Sequence, residues 1–83
     1  MPKRRKLLVY AEVFGIMKNR LKHFRHRLEM DQKEFAAYLG VNYSMYNRWE
    51  KQNVQPNVEK LVYLRNRLRN DFPELVIDDL LDI

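Results

Sequence analysis

Residues 31–50 read Asp31-Gln-Lys-Glu-Phe-Ala-Ala-Tyr-Leu-Gly-Val-Asn-Tyr-Ser-Met-Tyr-Asn-Arg-Trp-Glu50 and carry the clearest helical signals in the chain. Asp31 is a good N-cap, because its carboxylate can accept the unpaired amide hydrogens of a first helical turn. Glu34 stands three positions later, which is the spacing of a capping box. The pattern predicts a helix at about 32–39, and its inward face is formed by Phe35, Ala36 and Leu39.

A second helix is predicted at about 43–50. Gly40 lies where the first helix must end, since glycine adopts a positive φ without a Cβ clash. Asn42 can cap the next helix. Two helices of about eight residues joined by a short turn with a glycine form a helix-turn-helix unit. The inward side chains of the second helix are expected to be Met45, Tyr46 and Trp49.

This unit resembles the lambda-repressor-like (XRE-type, Cro/repressor) helix-turn-helix family of bacterial and phage regulators. The resemblance covers about residues 17–69, and the segment from Met17 to Arg25 is similar to the family's first helix. It implies an all-α domain at 17–83, built as a small bundle of about five helices with an N-terminal extension. The motifs that carry it are Gln32-x-x-Phe35-Ala36-x-x-Leu39-Gly40-Val41, then Tyr46-x-x-Trp49-Glu50, then Pro56.

Three positions depart from the family pattern. Phe35 and Trp49 stand where smaller aliphatic side chains are usual, and Gln52 stands where glycine is frequent. These departures bear on how the core packs rather than on the order of the helices.

The composition is that of one small domain. The chain has 83 residues, an apolar fraction of 46% and no cysteine, which excludes disulfides and thiolate metal sites and is compatible with a reducing cytosol. The longest apolar run, at 7–11, is too short to span a bilayer. Glu12 interrupts the apolar part of a possible signal peptide. We therefore expect a cytoplasmic protein without a membrane partner.

Charge is distributed unevenly along the chain. Residues 1–70 hold all sixteen lysines and arginines against six acids, whereas residues 71–83 hold five acids and no basic residue. A basic body attracts a polyanion, and the release of counterions makes nucleic acid a natural partner. The acidic end is expected to lie away from DNA, where members of the family often dimerise.

Residues 1–16 lie outside the family pattern and combine a basic arm with an apolar extension. The arm at 2–6 can lie along phosphates or act as a solubilising terminus. The segment at 7–16 can be a strand with alternating apolar residues. It can also belong to one helix from about 7 to 29, the interpretation that its unbroken apolar spacing favours. Either form could serve dimerisation or the docking of a partner.

The rest of the chain supplies two further helices. Asn57 is a plausible N-cap for a helix at about 58–69, and a short final helix is expected after Phe72-Pro73. The expected inward residues are Val58, Leu61, Val62, Leu64 and Leu68, then Leu75, Leu80 and Leu81. In the family, an arginine matching Arg25 pairs with the glutamate that here is Glu50, a structural ion pair that suits a bidentate guanidinium.

The helix at 43–50 would lie in the major groove and present its outward side chains to base edges. Asparagine can read adenine and arginine can read guanine in a bidentate manner. The predicted base-reading residues are Asn42, Tyr43, Ser44, Asn47 and Arg48. The predicted phosphate contacts, which orient the domain without reading sequence, are Gln32, Lys33, Lys51 and Asn53.

These features predict a dimeric, sequence-specific transcriptional regulator of double-stranded DNA that uses no cofactor. The alternative is an antitoxin-like or other protein-interaction module on the same fold, with its partner bound at 7–16 or at the acidic C-terminus. An enzyme is not expected, because no phosphate-binding glycine loop or nucleophile set is present. His23 and His26 lack a third ligand nearby, so no metal site is predicted.

Overall fold

The computed structural model describes residues 18–82. Within them, four α-helices and one 3₁₀ helix pack around a single core, and a short antiparallel ladder joins the two ends. The helical bundle expected from the sequence is confirmed, although its fifth helix is a single 3₁₀ turn. The elements are β1 (Lys18–Asn19), α1 (Leu21–Arg27), α2 (Gln32–Leu39), α3 (Tyr43–Glu50), α4 (Val58–Leu68), the 3₁₀ helix (Ile77–Leu80) and β2 (Leu81–Asp82).

The predicted N-caps hold three of these helices. The Asp31 carboxylate accepts from the Glu34 N–H over 2.8 Å, and Glu34 Oε1 accepts from the Asp31 N–H over 2.8 Å, which completes the capping box of α2. Asn42 caps α3 and Asn57 caps α4 in the same way, each through its Oδ1. Caps act within one turn, so they are visible in the sequence.

Three helices end in the same backbone motif. A residue just past the last turn adopts a left-handed conformation, and it and the next residue donate their N–H groups back to the helix. In α2, the Gly40 N–H donates to the Ala37 oxygen and the Val41 N–H donates to the Ala36 oxygen, each over 3.0 Å. The left-handed residues are Glu29 (φ 56°), Gly40 (φ 74°) and Gln52 (φ 65°).

The core takes at least one side chain from each α-helix and from the C-terminal segment. Its large aromatic side chains pack against one another: the rings of Phe35 and Tyr46 meet edge to face with centroids 5.4 Å apart. Full burial of a large apolar side chain stabilises a fold by about 1.5–3 kcal/mol. No helix within residues 18–82 is long and apolar enough to cross a membrane. The buried apolar residues are Leu21, Phe24, Phe35, Ala36, Leu39, Tyr46, Trp49, Leu61, Leu64, Leu68, Leu75, Leu80 and Leu81.

The prediction of one helix from about 7 to 29 is wrong. Residues Lys18 and Asn19 form β1 and pair with Asp82 and Leu81 of β2, so α1 starts only at Leu21. A residue whose backbone is extended for a ladder cannot also continue a helix. The strand alternative for 7–16, the arm at 2–6 and the partner role of both lie outside the described residues.

Two apolar residues expected in the core are exposed. Met45 is 38% exposed, because around the helix it lies between the exposed Arg48 and the buried Trp49, at the edge of the buried face of α3. Val58 is 49% exposed, because it is the first residue of α4 and precedes the turn that packs on the core. Spacing alone placed both residues too close to the buried face.

Candidate nucleic-acid interface

Helix α3 presents two chemically different faces. Tyr46 and Trp49 are buried in the core, whereas Tyr43, Ser44 and Arg48 are exposed. The 3.6-residue period of the helix brings the exposed side chains together on one side. The buried face therefore fixes the orientation in which the polar face meets solvent.

Arg25 and Glu50 join α1 to the last turn of α3. Arg25 Nε lies 2.7 Å from Glu50 Oε2, and Arg25 Nη2 lies 3.1 Å from Oε1, so the guanidinium is bidentate. A third bond runs from Arg25 Nη1 to the Met30 oxygen over 3.1 Å. The side chains are only 13% and 6% exposed, which shields the pair from solvent.

The Glu50 carboxylate also accepts hydrogen bonds from Gln32 and Tyr46. Burial alone would raise the pKa of Glu50, but hydrogen bonds from Arg25, Tyr46 and Gln32 lower it below its ordinary value. The hydrogen bond with Glu50 raises the pKa of Arg25, and burial together with the same carboxylate raises the pKa of Tyr46. Glu50 is therefore ionised, and Tyr46 donates to it as a neutral phenol.

Gln32 connects this buried charge to the exposed face of α3. Its Nε2 donates to Glu50 Oε1, and its Oε1 accepts from Asn47 Nδ2 over 3.0 Å and from the Tyr43 hydroxyl over 3.4 Å. One amide thus links three positions of α3 to the start of α2. The side chain predicted to grip a phosphate is half-buried and also orients two predicted base readers.

Lys33 and Tyr43 form an exposed pair beside Gln32. The Lys33 ammonium lies 5.7 Å from the centroid of the Tyr43 ring, within the range of a cation–π contact. Tyr43 is 42% exposed, so its ring edge remains open to a ligand. The pair places a positive charge at the start of α2 next to the start of α3.

The structure brings most of the predicted site residues to the surface, with two qualifications. Asn47 is half-buried and bonded to Gln32, and the Oδ1 atom of Asn42 is engaged by the Met45 N–H. Neither asparagine is therefore a freely rotating reader. The exposed members are Asn42, Tyr43, Ser44 and Arg48 among the base readers, and Lys33, Lys51 and Asn53 among the phosphate contacts.

Sequence reasoning missed Asn19, a buried polar residue whose Nδ2 donates to the Trp49 carbonyl over 2.8 Å. Nothing in the periodicity indicates this contact, because the two residues lie 30 positions apart. The departure at Gln52 was the available signal, since Gln52 also bonds Asn19. Residues 18–82 contain no group of three or more His, Cys, Asp or Glu side chains that could hold a metal ion.

Comparison with known proteins agrees with this geometry. A family model described as helix-turn-helix matches residues 21–75, which is more than half of the chain. Neither the curated proteins nor the solved structures give a significant match. The matched range begins with α1, ends after α4, and contains the whole exposed face of α3. The chain belongs to the lambda-repressor-like (XRE-type) helix-turn-helix family of DNA-binding regulators.

Proposed function

We propose that this chain is a sequence-specific regulator of transcription that reads the major groove of double-stranded DNA with α3. The observation that carries the proposal is the division of α3 into a buried face and an exposed polar face. A recognition helix must be held rigidly while its outer side chains remain free to meet base edges. The Arg25–Glu50 pair and the Gln32 amide supply that rigidity at both ends of the polar face.

Base reading is assigned first to Arg48, which is exposed in the last turn of α3. Its guanidinium can donate to O6 and N7 of guanine. Tyr43 offers a ring for a thymine methyl group and a hydroxyl for a polar contact, and Ser44 supplies a second hydroxyl near the start of the helix. Asn47 would contribute its remaining amide hydrogen, since Gln32 holds the other.

Phosphate contacts are assigned to side chains on both flanks of α3. Lys33 lies at the start of α2, whereas Lys51 and Asn53 follow the end of α3. Gln32 would donate its second Nε2 hydrogen. Such contacts set the register of a domain on the duplex without reading sequence. The net charge of +5 adds a general attraction to the backbone.

The proposed form is a homodimer on an operator with two half-sites about one helical turn apart. Occupation of that operator in the bacterial or phage-infected cytoplasm would block or help polymerase. The action requires neither a cofactor nor catalysis. Membership of the family supports DNA binding, and the exposed side chains of α3 support the sequence specificity of that binding.

A binding selection from random duplexes, repeated at two salt concentrations, tests the proposal. We expect an enriched palindromic motif whose half-site spacing gives the dimer geometry. Salt-sensitive binding without a motif would replace sequence recognition with nonspecific binding. An absence of binding would favour the protein-interaction alternative.

Two neighbouring variants separate base reading from phosphate contact. Arg48→Ala should lower the preference for the selected motif by about 1–3 kcal/mol. Lys51→Ala removes an equal charge only three positions away. This variant should weaken binding to all DNA sequences alike and make the affinity less dependent on salt concentration. Equal behaviour of the two variants would contradict the role given to Arg48.

A further inference from the structure

Three side-chain amides form a cluster at the C-terminal end of α3, and we call Asn19, Gln52 and Gln55 the amide cluster. Asn19 is its centre and is only 5% exposed. Its Nδ2 donates to the Trp49 carbonyl over 2.8 Å and to Gln55 Oε1 over 3.0 Å. Its Oδ1 accepts from the Leu21 N–H over 3.1 Å. One buried side chain thus bonds the end of α3 and the start of α1.

Gln52 completes the cluster by pairing with the backbone of β1. Its Oε1 accepts from the Asn19 N–H over 3.0 Å, and its Nε2 donates to the Asn19 carbonyl over 3.1 Å. These are the two bonds that a neighbouring strand would make to one residue. The other edge of β1 pairs with β2, so Asn19 is held from both sides.

The cluster also supports an unfavourable backbone conformation. Gln52 has φ 65°, a conformation that costs a non-glycine residue because its Cβ crowds the carbonyl oxygen. The Gln52 side chain gains a further bond from Gln55 Nε2 over 2.9 Å. The turn that ends α3 therefore depends on hydrogen bonds from β1 and from the loop after it, and not on its own backbone alone.

This turn lies next to the principal base-reading residue. The Arg48 carbonyl accepts from the Asn53 N–H over 3.1 Å, and the Trp49 carbonyl accepts from both Gln52 N–H and Asn19 Nδ2. A shift of the turn would move the last turn of α3. Asn19 and the β1–β2 ladder lie outside residues 21–75, the range that the family model matches. The central residue of the amide cluster therefore lies outside the matched range, whereas Gln52 and Gln55 lie inside it.

We propose that Asn19 is a positioning residue for DNA recognition: β1 sets the C-terminal end of α3 through the amide cluster, and sequence discrimination depends on it. The inference rests on the proposed function, because discrimination is its readout. Asn19 is buried, so in this proposal it does not itself contact a base. It acts through Trp49 and Gln52 on the direction in which Arg48 leaves the helix.

The test compares Asn19→Ala with Leu75→Val, which removes a methylene from a buried residue outside the amide cluster but removes no side-chain hydrogen bond. Each variant is assayed for affinity to the selected motif and to a scrambled duplex. Two further readouts are the emission of Trp49, the only tryptophan of the chain, and the hydrogen exchange of the Gln52 and Asn53 amides. Both readouts report on the structure at the C-terminal end of α3 in the absence of DNA.

In Asn19→Ala, we expect motif preference to fall by about tenfold, the size of one lost base contact, while affinity for scrambled DNA stays unchanged. Trp49 emission should shift, and the amides of 52 and 53 should exchange faster. Leu75→Val should leave motif preference and these signals unchanged. If Asn19→Ala does not fold, Gln55→Ala removes one acceptor of Asn19 and should show the same pattern to a smaller degree.

A uniform loss of affinity for both duplexes, or an equal loss of preference in Leu75→Val, would overturn the positioning role. If the unmodified chain itself prefers no sequence, the proposed function fails instead. The exchange experiment then still decides the structural part. Unchanged protection at 52 and 53 in Asn19→Ala would show that the amide cluster does not hold α3.

Discussion

The ends of α2 and α3 share a backbone motif but keep it by different means. Gly40 adopts φ 74° at the first end, where glycine has no Cβ to crowd the backbone. Gln52 adopts φ 65° at the second end, where a side chain makes the same conformation unfavourable. Its cost is offset by the amide cluster. The left-handed conformation at the first end therefore needs only the freedom of a glycine, although Tyr63 and Arg67 also bond carbonyls there. The one at the second end is supported by side chains from distant parts of the chain.

The difference follows from what each end has to do. The turn at Gly40 only joins α2 to α3, and Tyr63 and Arg67 of α4 lie against it. The turn at Gln52 ends the helix that carries the predicted base readers, beside the buried Glu50 carboxylate. The strained backbone at Gln52 is supported by hydrogen bonds to β1 and to Gln55, so changes in those distant residues act on it. The α3 end should therefore be the more easily broken by remote changes.

The largest expected effect comes from Glu50→Gln. The substitution leaves the Arg25 guanidinium partly buried without a charged partner, and loss of one member of a buried pair costs about 3 kcal/mol. Urea denaturation followed by Trp49 emission measures the loss. Glu59→Gln removes the same charge from an exposed site and should cost less than about 0.5 kcal/mol. Equal losses would show that the pair does not hold α3.

Gly40→Ala is expected to cost about 2 kcal/mol, because a non-glycine residue at a left-handed position is disfavoured by roughly 1–2 kcal/mol. A steric term adds to this, since the new Cβ would lie 2.6 Å from the Tyr63 hydroxyl oxygen. Thermal denaturation of the variant alone and with Tyr63→Phe separates the two terms. The second change should recover the steric part. An unchanged melting temperature in Gly40→Ala would contradict the local encoding of this end.

Gln52 gives the direct counterpart of that experiment. Gln52→Ala keeps the backbone strain and loses the amide bonds, whereas Gln52→Gly loses the same bonds and relieves the strain. Gln52→Gly should therefore be the more stable of the two by about 1 kcal/mol. Chemical denaturation of both variants measures the difference. The reverse order of stabilities would mean that Gln52 is not strained in the folded chain.

The smallest effect on folding stability is expected from a fall in pH, because burial and hydrogen bonds act on the pKa of Glu50 in opposite directions. Its folded pKa is lowered, so its stabilisation is complete above the ordinary value of 4.5 and is lost as the pH falls through the lowered value. Hydrogen exchange should show loss of protection at 52 and 53 before 40 and 41. Loss at both ends together would indicate global unfolding alone.

Local signals made much of the fold predictable. The N-caps Asp31, Asn42 and Asn57 act within one helical turn, so α2 was predicted with its observed bounds. The exposure of Tyr43, Ser44 and Arg48 on α3 was predictable from the helical period. The burial of residues at the edge of an apolar helix face was not predictable, because the exposure of Met45 and Val58 depends on where the neighbouring elements end.

The β1–β2 ladder and the amide cluster were not predictable, because they join residues that are far apart in the sequence. Two residues at Lys18–Asn19 are too few for a period-2 pattern, and Asn19 is polar. Its burial depends on donors and acceptors supplied by α3 and the loop at 52–55. Gln52 in place of a usual glycine marked the position without indicating its partners.

The ladder also has a consequence for the order of folding. Contacts within α2 and α3 are close in sequence, whereas the pair Lys18–Asp82 closes nearly the whole described chain. Closing a long loop carries an entropic cost that must be met before its contacts form, so the ladder should assemble after the rate-limiting step. Substitutions in the ladder should then accelerate unfolding and leave the refolding rate nearly unchanged. The lifetime of the folded state, rather than the speed of its formation, would be the property that the ladder residues control.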